Sequence, residues 1–307
     1  MVIALINDSQ RPTDKTKNCT ERCSFWFYYG CLTDIKNILH YLCNMRITTI
    51  ITILLLGIQH GFAQNYAELC EAGRNYLNKK EYKKAAEAFS RANSAASNNS
   101  EKLYTLANLG QAQSMMNKHE QAAENFGKAL VIEPSSPTLL LQRGNSLLQI
   151  DSAQTAIECY NKILQTYPAN REARFFRAYA YSILKQYKES KLDYIKLISA
   201  NPDDKEARLG LAVLYQREGS VNESLMMLEA LIEDYPEDAE LYQARCNLER
   251  EQGQAELALQ DIEKAIELSP DNAEFRIIEA ELLQQLGRKE AARKSRNAAT
   301  KISSTPR

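Results

Sequence analysis

The chain has 307 residues, of which 44% are hydrophobic, with 38 lysine and arginine residues against 39 aspartate and glutamate residues. The resulting net charge of −1 gives no general attraction to nucleic acid or to an anionic membrane, so neither is expected as a stable partner. The length is large for one compact core, yet the composition of residues 64–307 shows no change that would separate two globular domains, which favours an elongated, modular body.

The first 44 residues show no helical periodicity and contain the aromatic cluster Phe25–Tyr29. They also hold four of the seven cysteines, Cys19, Cys23, Cys31 and Cys43. The intervals of three, seven and eleven residues between these cysteines match no common zinc-binding pattern. We interpret the segment as translated upstream sequence or a disordered extension, with a small metal-binding knuckle as the alternative.

A targeting signal follows this segment. Met45 and Arg46 precede an uncharged apolar run over residues 47–58, and the small residues Gly61 and Ala63 come shortly after it. A basic start, an apolar run and a small-x-small site are typical of a secretory signal peptide. The run is shorter than the roughly 20 residues that a membrane-spanning helix needs.

We therefore predict that translation begins at Met45 and that cleavage after Ala63 leaves Gln64 as the mature amino terminus, in a protein that is periplasmic or secreted. A residue other than cysteine after the cleavage site argues against a bacterial lipoprotein. The alternative is an uncleaved membrane anchor through residues 47–62, with residues 1–44 in the cytoplasm.

A repeat of 34 residues dominates the rest of the chain. It is marked by five prolines, Pro134, Pro168, Pro202, Pro236 and Pro270. Two residues after each proline stands a side chain whose oxygen can accept a hydrogen bond from the free amides of a helix start: Ser136, Asn170, Asp204, Asp238 and Asn272. Because a proline ends one helix and a capping residue begins the next, the pattern predicts helix-turn-helix units.

Each period also has fixed small and large positions. Small residues lie 24 and 12 residues before the proline, at Gly110, Gly144, Ala178, Ala212 and Cys246, and at Ala122, Ala156, Ser190, Ser224 and Ala258. Large apolar residues lie eight before it, at Phe126, Tyr160, Tyr194, Leu228 and Ile262. Small side chains let antiparallel helices approach closely, and the large ones fill the space between neighbouring pairs.

The same pattern extends backward to Gly73 and Phe89 and forward to Ala280 and Ala292, and it resembles the tetratricopeptide repeat family. The resemblance covers about residue 66 to the C-terminus, as six full repeats and a partial seventh, although no repeat carries a tryptophan near its start. It implies an all-α fold, a right-handed superhelical solenoid of 34-residue helix-turn-helix repeats. The resemblance also implies that the first helix of each repeat forms most of the inner wall.

The last repeat departs from the pattern. Arg296 stands where the other repeats have a large apolar residue, and a charged side chain there would carry a desolvation cost if a further repeat covered it. Residues 288–307 contain seven basic residues and one acidic residue, which we interpret as the solvated face of a capping helix, with only transient membrane contact. The predicted organisation is an upstream segment, a signal peptide, a solenoid, and a capping helix with its tail: 1–44, 45–63, 64–287 and 288–307.

Binding residues are expected on the inner wall, one turn apart within a first helix and 34 residues apart between repeats. The positions selected on this basis are Leu141, Asn145, Phe175, Tyr179, Leu209, Val213 and Asn247. An apolar and aromatic wall of this kind would bind a hydrophobic or aromatic peptide segment, and the asparagines would bond an extended backbone. The alternative is that individual side chains only pack between neighbouring first helices.

The sequence offers no catalytic constellation. His119 is the one histidine after the predicted cleavage site, it is placed in a polar turn, and a Ser-His-Asp or Cys-His arrangement would require it. Phosphate-binding loops, dinucleotide-binding glycine motifs and H-E-x-x-H are absent. We expect no enzyme, cofactor, metal site or small-molecule substrate. The remaining cysteines Cys70, Cys159 and Cys246 fall in separate repeats, so no disulfide framework is expected.

These observations predict a scaffold or adaptor that binds a protein or peptide in the concave groove of the solenoid. A chaperone-like holdase for exported polypeptides is the alternative, and an enzyme or enzyme subunit is a remote one. A scaffold retains one or a few partners, whereas a holdase suppresses the aggregation of unrelated substrates.

Overall fold

The computed structural model describes residues 65–304, and within them every regular element is an α-helix. The predicted upstream segment and signal peptide lie outside the described residues. The chain divides into two units at residue 65, and Tyr66–Arg307 form the second. The helices are α1 (65–78), α2 (Tyr82–Ala95), α3 (Asn99–Ser114), α4 (His119–Ile132), α5 (Pro137–Leu148), α6 (Ala153–Thr166), α7 (Arg171–Ile183), α8 (Tyr187–Ala200), α9 (Lys205–Glu218), α10 (Val221–Asp234), α11 (Ala239–Glu251), α12 (Ala255–Leu268), α13 (Ala273–Gln285) and α14 (Lys289–Ser304).

Consecutive helices pack as a continuous stack in this second unit, which confirms the predicted all-α solenoid. Each helix from α2 to α14 contacts the next along the chain, and the odd-numbered helices α3, α5, α7 and α9 also contact one another in sequence. The odd-numbered helices are the first helices of their pairs, so they lie side by side along one wall. No described helix is long and apolar enough to cross a membrane.

The predicted capping residues begin the first helices. Asn170, Asp204, Asp238 and Asn272 are the N-caps of α7, α9, α11 and α13, and each side chain accepts a hydrogen bond from a backbone amide of the first turn. Ser136 is the N-cap of α5 but makes no such bond, and Pro137 follows it at the first helical position. The 34-residue pattern therefore sets where these helices start.

Small and large residues meet as the repeat pattern predicts. The large apolar residues of five repeats are 2% exposed or less, at Phe126, Tyr160, Tyr194, Leu228 and Ile262. A Cβ atom built on Gly144 would lie 2.6 Å from Cε1 of Tyr160, and one built on Gly110 would lie 2.8 Å from Cε1 of Phe126. The rings thus occupy the space that a side chain at the small position would need.

The turns within the pairs share a left-handed residue that the proline pattern does not reveal. This residue recurs with the 34-residue period, and its backbone φ lies between 55° and 88° at Asn117, Asp151, Lys185, Gly219, Gly253 and Gly287. Left-handed geometry favours glycine, yet three of these positions carry other residues. The turn geometry therefore does not require glycine.

The two helices α13 and α14 form a seventh pair that closes the described solenoid. Ala292, Ser295 and Ala299 give α14 a buried face, and Arg296 is exposed and donates a hydrogen bond to Gln284 of α13. Small residues thus form the buried face of α14 and its charged side chains are exposed, which makes the helix amphipathic.

Candidate binding groove

A groove of about 500 Å³ opens between the first helices α7 and α9 of the fourth and fifth pairs. Its walls are mostly aromatic and aliphatic, and its two ends are charged. The lining residues are Arg171, Glu172, Phe175, Phe176, Tyr179 and Ser182 of α7, Tyr194 of α8, and Glu206, Leu209, Gly210, Val213 and Arg217 of α9.

Four of the predicted wall residues line this groove. Phe175 and Tyr179 are one turn apart on α7, and Leu209 and Val213 occupy the same positions one repeat later on α9. Residues four apart lie on the same helix face, and the 34-residue repeat places α7 and α9 in the same orientation. The predicted spacing thus brings these four side chains together.

The other three predicted residues lie elsewhere. Leu141 is partly buried and packs against the hydrophobic core of the preceding pairs. Asn145 accepts a hydrogen bond of 2.8 Å from the hydroxyl of Tyr160 through its Oδ1 atom. Asn247, on α11, is not among the residues that line the groove. The groove is therefore confined to two repeats, and no asparagine lies in it.

Phe175 and Tyr179 are unequal in their exposure. The ring of Phe175 is partly buried and packs edge-on against Phe176 and Tyr194, with centroid distances of 5.6 and 5.8 Å. Tyr179 is 40% exposed. Phe175 thus supports the groove from within the core, whereas Tyr179 offers an aromatic surface to a ligand.

Tyr194 and Gly210 form the floor of the groove and were not among the predicted wall residues. A Cβ atom on Gly210 would lie 2.5 Å from Cε1 of Tyr194. Burial raises the pKa of the Tyr194 hydroxyl above its ordinary value, so the floor stays neutral. The sequence signal for this floor is that a glycine, Gly210, stands one repeat after Phe176, and its missing side chain leaves room for the ring of Tyr194.

At one end of the groove, an arginine is paired with two carboxylates of the next repeat. Arg171 donates from Nε to Oδ2 of Asp204 at 2.8 Å and from Nη2 to Oδ1 at 2.6 Å, and it bonds Glu206 at 2.6 Å. These contacts raise the pKa of Arg171 and lower the pKa of Asp204. Because two carboxylates face one guanidinium and Glu172 lies beside them, this end carries a net negative charge.

The opposite end carries a cation without a carboxylate partner among the described residues. Arg217 donates from Nη1 to the hydroxyl of Ser182 at 3.1 Å, and its guanidinium carbon lies 5.7 Å from the ring centroid of Tyr179. The side chain is exposed. A guanidinium held over an aromatic ring in this way presents its remaining N–H groups to a ligand.

The described residues contain no cluster of three or more histidine, cysteine, aspartate or glutamate side chains able to hold a metal. Cys70, Cys159 and Cys246 are buried free thiols. The placement of His119 in a turn was wrong, because the left-handed residue Asn117 ends the turn and lets His119 become the first residue of α4.

Sequence models of the tetratricopeptide repeat match residues 184–246 and 244–305. The fold is similar to that of a tetratricopeptide repeat protein from Parabacteroides merdae, with a TM-score of 0.69 and 27% identity over 78% of this chain and 93% of that chain. Yeast Tom70 gives a TM-score of 0.59 and 19% identity over 72% of this chain and 49% of that chain.

A thermophilic tetratricopeptide repeat protein of Thermus thermophilus gives a TM-score of 0.51 and 18% identity, over 59% of this chain and 99% of that chain. At these identities the yeast and Thermus proteins establish likeness of fold alone. A search of curated protein sequences found no match.

Proposed function

Residues 184–305 match models of the tetratricopeptide repeat, and we propose that the chain is a scaffold or adaptor that holds a protein or peptide partner in the groove between α7 and α9. Tetratricopeptide repeat proteins generally mediate protein–protein interactions, and the repeat is generally a non-catalytic scaffold. We propose both where on this chain the partner binds and which chemistry the bound segment has.

One observation carries the proposal: an apolar groove lies open where two first helices meet. Tyr179 is 40% exposed, and Leu209 and Val213 extend the apolar surface onto α9. Exposed apolar surface of this kind on a folded protein usually marks an interaction site. The partner is thus expected to contribute a hydrophobic or aromatic segment.

The bounded shape of the groove favours a selective scaffold over a holdase. The apolar floor spans two repeats and ends in charged residues on both sides, at Arg171 and Arg217. Charged ends restrict which segments fit, because a mismatched charge there is disfavoured. A holdase for many unfolded chains needs no such restriction.

The groove is tested by affinity capture with the full chain and with a variant that carries Tyr179→Ser and Val213→Ser. The matched control carries Leu192→Ser and Ile195→Ser, two exposed apolar residues on α8 that do not line the groove. Circular dichroism checks that all forms keep their helical content.

We expect a short set of partners, identified by mass spectrometry, that is lost from the groove variant and kept by the control. If the groove variant captured the same partners as the wild type, the binding surface would lie outside the groove. A broad set of unrelated unfolded chains, with suppression of their aggregation, would favour the holdase.

We further propose that the protein is exported, on the basis of the predicted signal peptide. Cleavage after Ala63 leaves Gln64 at the mature amino terminus. Intact mass of the protein recovered from its cells tests this proposal, and a species that retains residues 1–63 contradicts it.

A further inference from the structure

The groove between α7 and α9 has a length that fits a short extended peptide. Its α7 lining runs from Arg171 to Ser182, and its α9 lining runs from Glu206 to Arg217, so each helix contributes twelve residues, or eleven residue-to-residue steps. With a rise of 1.5 Å per residue, this corresponds to about 16 Å. An extended chain advances about 3.3 Å per residue, so about five residues fit along the groove.

The two ends of the groove differ in charge. At the start of α7 and α9, Arg171 is bonded to both Asp204 and Glu206, and Glu172 adds a further carboxylate. At the other end, Arg217 has the hydroxyl of Ser182 and the ring of Tyr179 as its contacts and no carboxylate partner among the described residues. A bound segment with an acidic side chain near Arg217 and a basic side chain near the carboxylates matches this arrangement.

The distance between Tyr179 and Arg217 determines how far apart a bound peptide would carry its apolar and its charged side chain. The guanidinium carbon of Arg217 lies 5.7 Å from the ring centroid of Tyr179, which is the most exposed aromatic surface of the groove. In an extended peptide, side chains two positions apart point to the same side and lie about 6.6 Å apart. A side chain packed on Tyr179 therefore places the one two positions away beside Arg217.

We infer that the groove selects an extended segment with a large apolar side chain at its centre, a carboxylate two positions to one side and a cation two positions to the other. This inference rests on the proposed function and specifies its ligand. The carboxylate pairs with Arg217, the apolar side chain packs on Tyr179, Leu209 and Val213, and the cation faces Glu172 and Glu206. A planar guanidinium can hold a carboxylate with two parallel hydrogen bonds, which makes this end the more selective one.

The test uses a library of random seven-residue peptides displayed on phage and selected on the full chain. Selections are run in parallel on Arg217→Glu and on Arg293→Glu, a control at an exposed arginine of α14 outside the groove. Wild type and control should enrich peptides with an acidic residue two positions from a large apolar one. Arg217→Glu should enrich a basic residue in its place.

Fluorescence anisotropy with one selected synthetic peptide then measures the contribution of the charge. Changing the acidic residue of the peptide to its amide should weaken binding to wild type about tenfold, since a hydrogen-bonded charge pair contributes somewhat more than 1 kcal/mol. The same change should instead strengthen binding to Arg217→Glu, because it removes the repulsion between two carboxylates. Lysine at that position should restore binding to Arg217→Glu.

The outcomes separate this inference from the proposed function. Peptides whose binding is lost in the Tyr179→Ser, Val213→Ser variant but is unchanged by Arg217→Glu would overturn the inference and leave the groove as the binding site. Binding that neither variant affects would overturn both. Selection that enriches no acidic position in wild type would also overturn the inference.

Discussion

Gly144 has no side chain, and this lets helices α5 and α6 of its repeat pack closely together. A Cβ atom there would lie 2.6 Å from Cε1 of Tyr160, a ring that is fully buried and that donates its hydroxyl to Asn145. The ring cannot retreat without losing this contact. Close packing of α5 on α6 thus depends on a glycine that would otherwise weaken a helix interior.

Gly144→Ala should therefore destabilise the protein by about 1–3 kcal/mol, since overpacking forces side chains and backbone to shift. The matched control is Gly127→Ala, where the new Cβ meets Nε of Arg143 at an ordinary 3.5 Å. Alanine should stabilise that helix by about 0.5–1 kcal/mol. Urea unfolding measures both changes, and effects of the same sign at the two positions would contradict the packing argument.

Glu249 makes the stability of the protein depend on pH. Burial, and secondly the charge of nearby Asp261, raise the pKa of its carboxyl to about 7 against the opposing effect of Arg245. Arg245 is itself bonded to Asp261 by two hydrogen bonds of 2.7 and 2.8 Å. The arginine is thus already occupied, and Oε2 of Glu249 has no hydrogen-bond partner.

Because the folded-state pKa lies above the ordinary value of 4.5, the folded protein holds a proton that the unfolded chain gives up. This contribution to stability is fully present below about pH 4.5 and is lost as the pH rises through about 7. Glu249→Gln keeps the neutral form at every pH. Its stability relative to wild type should therefore increase from pH 5 to pH 8, by on the order of 1 kcal/mol.

Denaturant unfolding at the two pH values checks this expectation. Glu251→Gln, an exposed neighbour on the same helix, is the control and should show no such increase. An equal response of the two variants would contradict the buried state of Glu249. The burial itself was not predictable from the sequence, because a glutamate in a polar helix is ordinarily exposed and the packing of α12 covers this one.

The start of α9 is an element whose stability combines a local cap with a contact between repeats. The carboxylate of Asp204 accepts from the backbone amide of Ala207 at 3.0 Å and also receives two hydrogen bonds from Arg171, at the start of α7. The cap was predictable from its place after Pro202. The arginine contact was not, because it joins residues 33 positions apart and depends on how two repeats align.

Asp204→Ala should destabilise the protein by about 2 kcal/mol, from loss of the cap and of the contact with Arg171. Asp204→Asn should cost about half as much, because its amide oxygen can still cap the helix. Ser136→Ala is the control, since this N-cap makes no side-chain hydrogen bond, and it should have little effect. Thermal unfolding ranks the three variants, and equal losses for alanine at both caps would contradict the account.

At the scale of the whole molecule, the repeat period was sufficient to predict the fold but not the place of the groove. Prolines and capping residues mark helix boundaries directly, so the order of helices followed from local chemistry. The wall positions recur in every repeat, so the sequence alone does not show which of them line the groove. The structure separates them because the missing side chain of Gly210 lets the ring of Tyr194 form the floor of the groove, whereas Asn145 is bonded to Tyr160.

The contacts of Arg217 were also not predictable from the sequence. Its residue type is common on helix surfaces, and only the structure places it over Tyr179 with Ser182 as its hydrogen-bond partner. Arg171, at the opposite end, is neutralised by residues of the next repeat. The polarity of the groove thus arises from contacts between repeats, which a pattern within one repeat does not contain.

The most direct test of the groove as the partner-binding surface is site-specific photocrosslinking in the cells that produce the protein. A photoreactive phenylalanine derivative replaces Tyr179 in the groove in one variant and Leu192 on α8 in another, since both side chains are exposed. We predict crosslinked partner adducts from position 179 and none from position 192. Adducts from position 192 with none from position 179 would contradict the account.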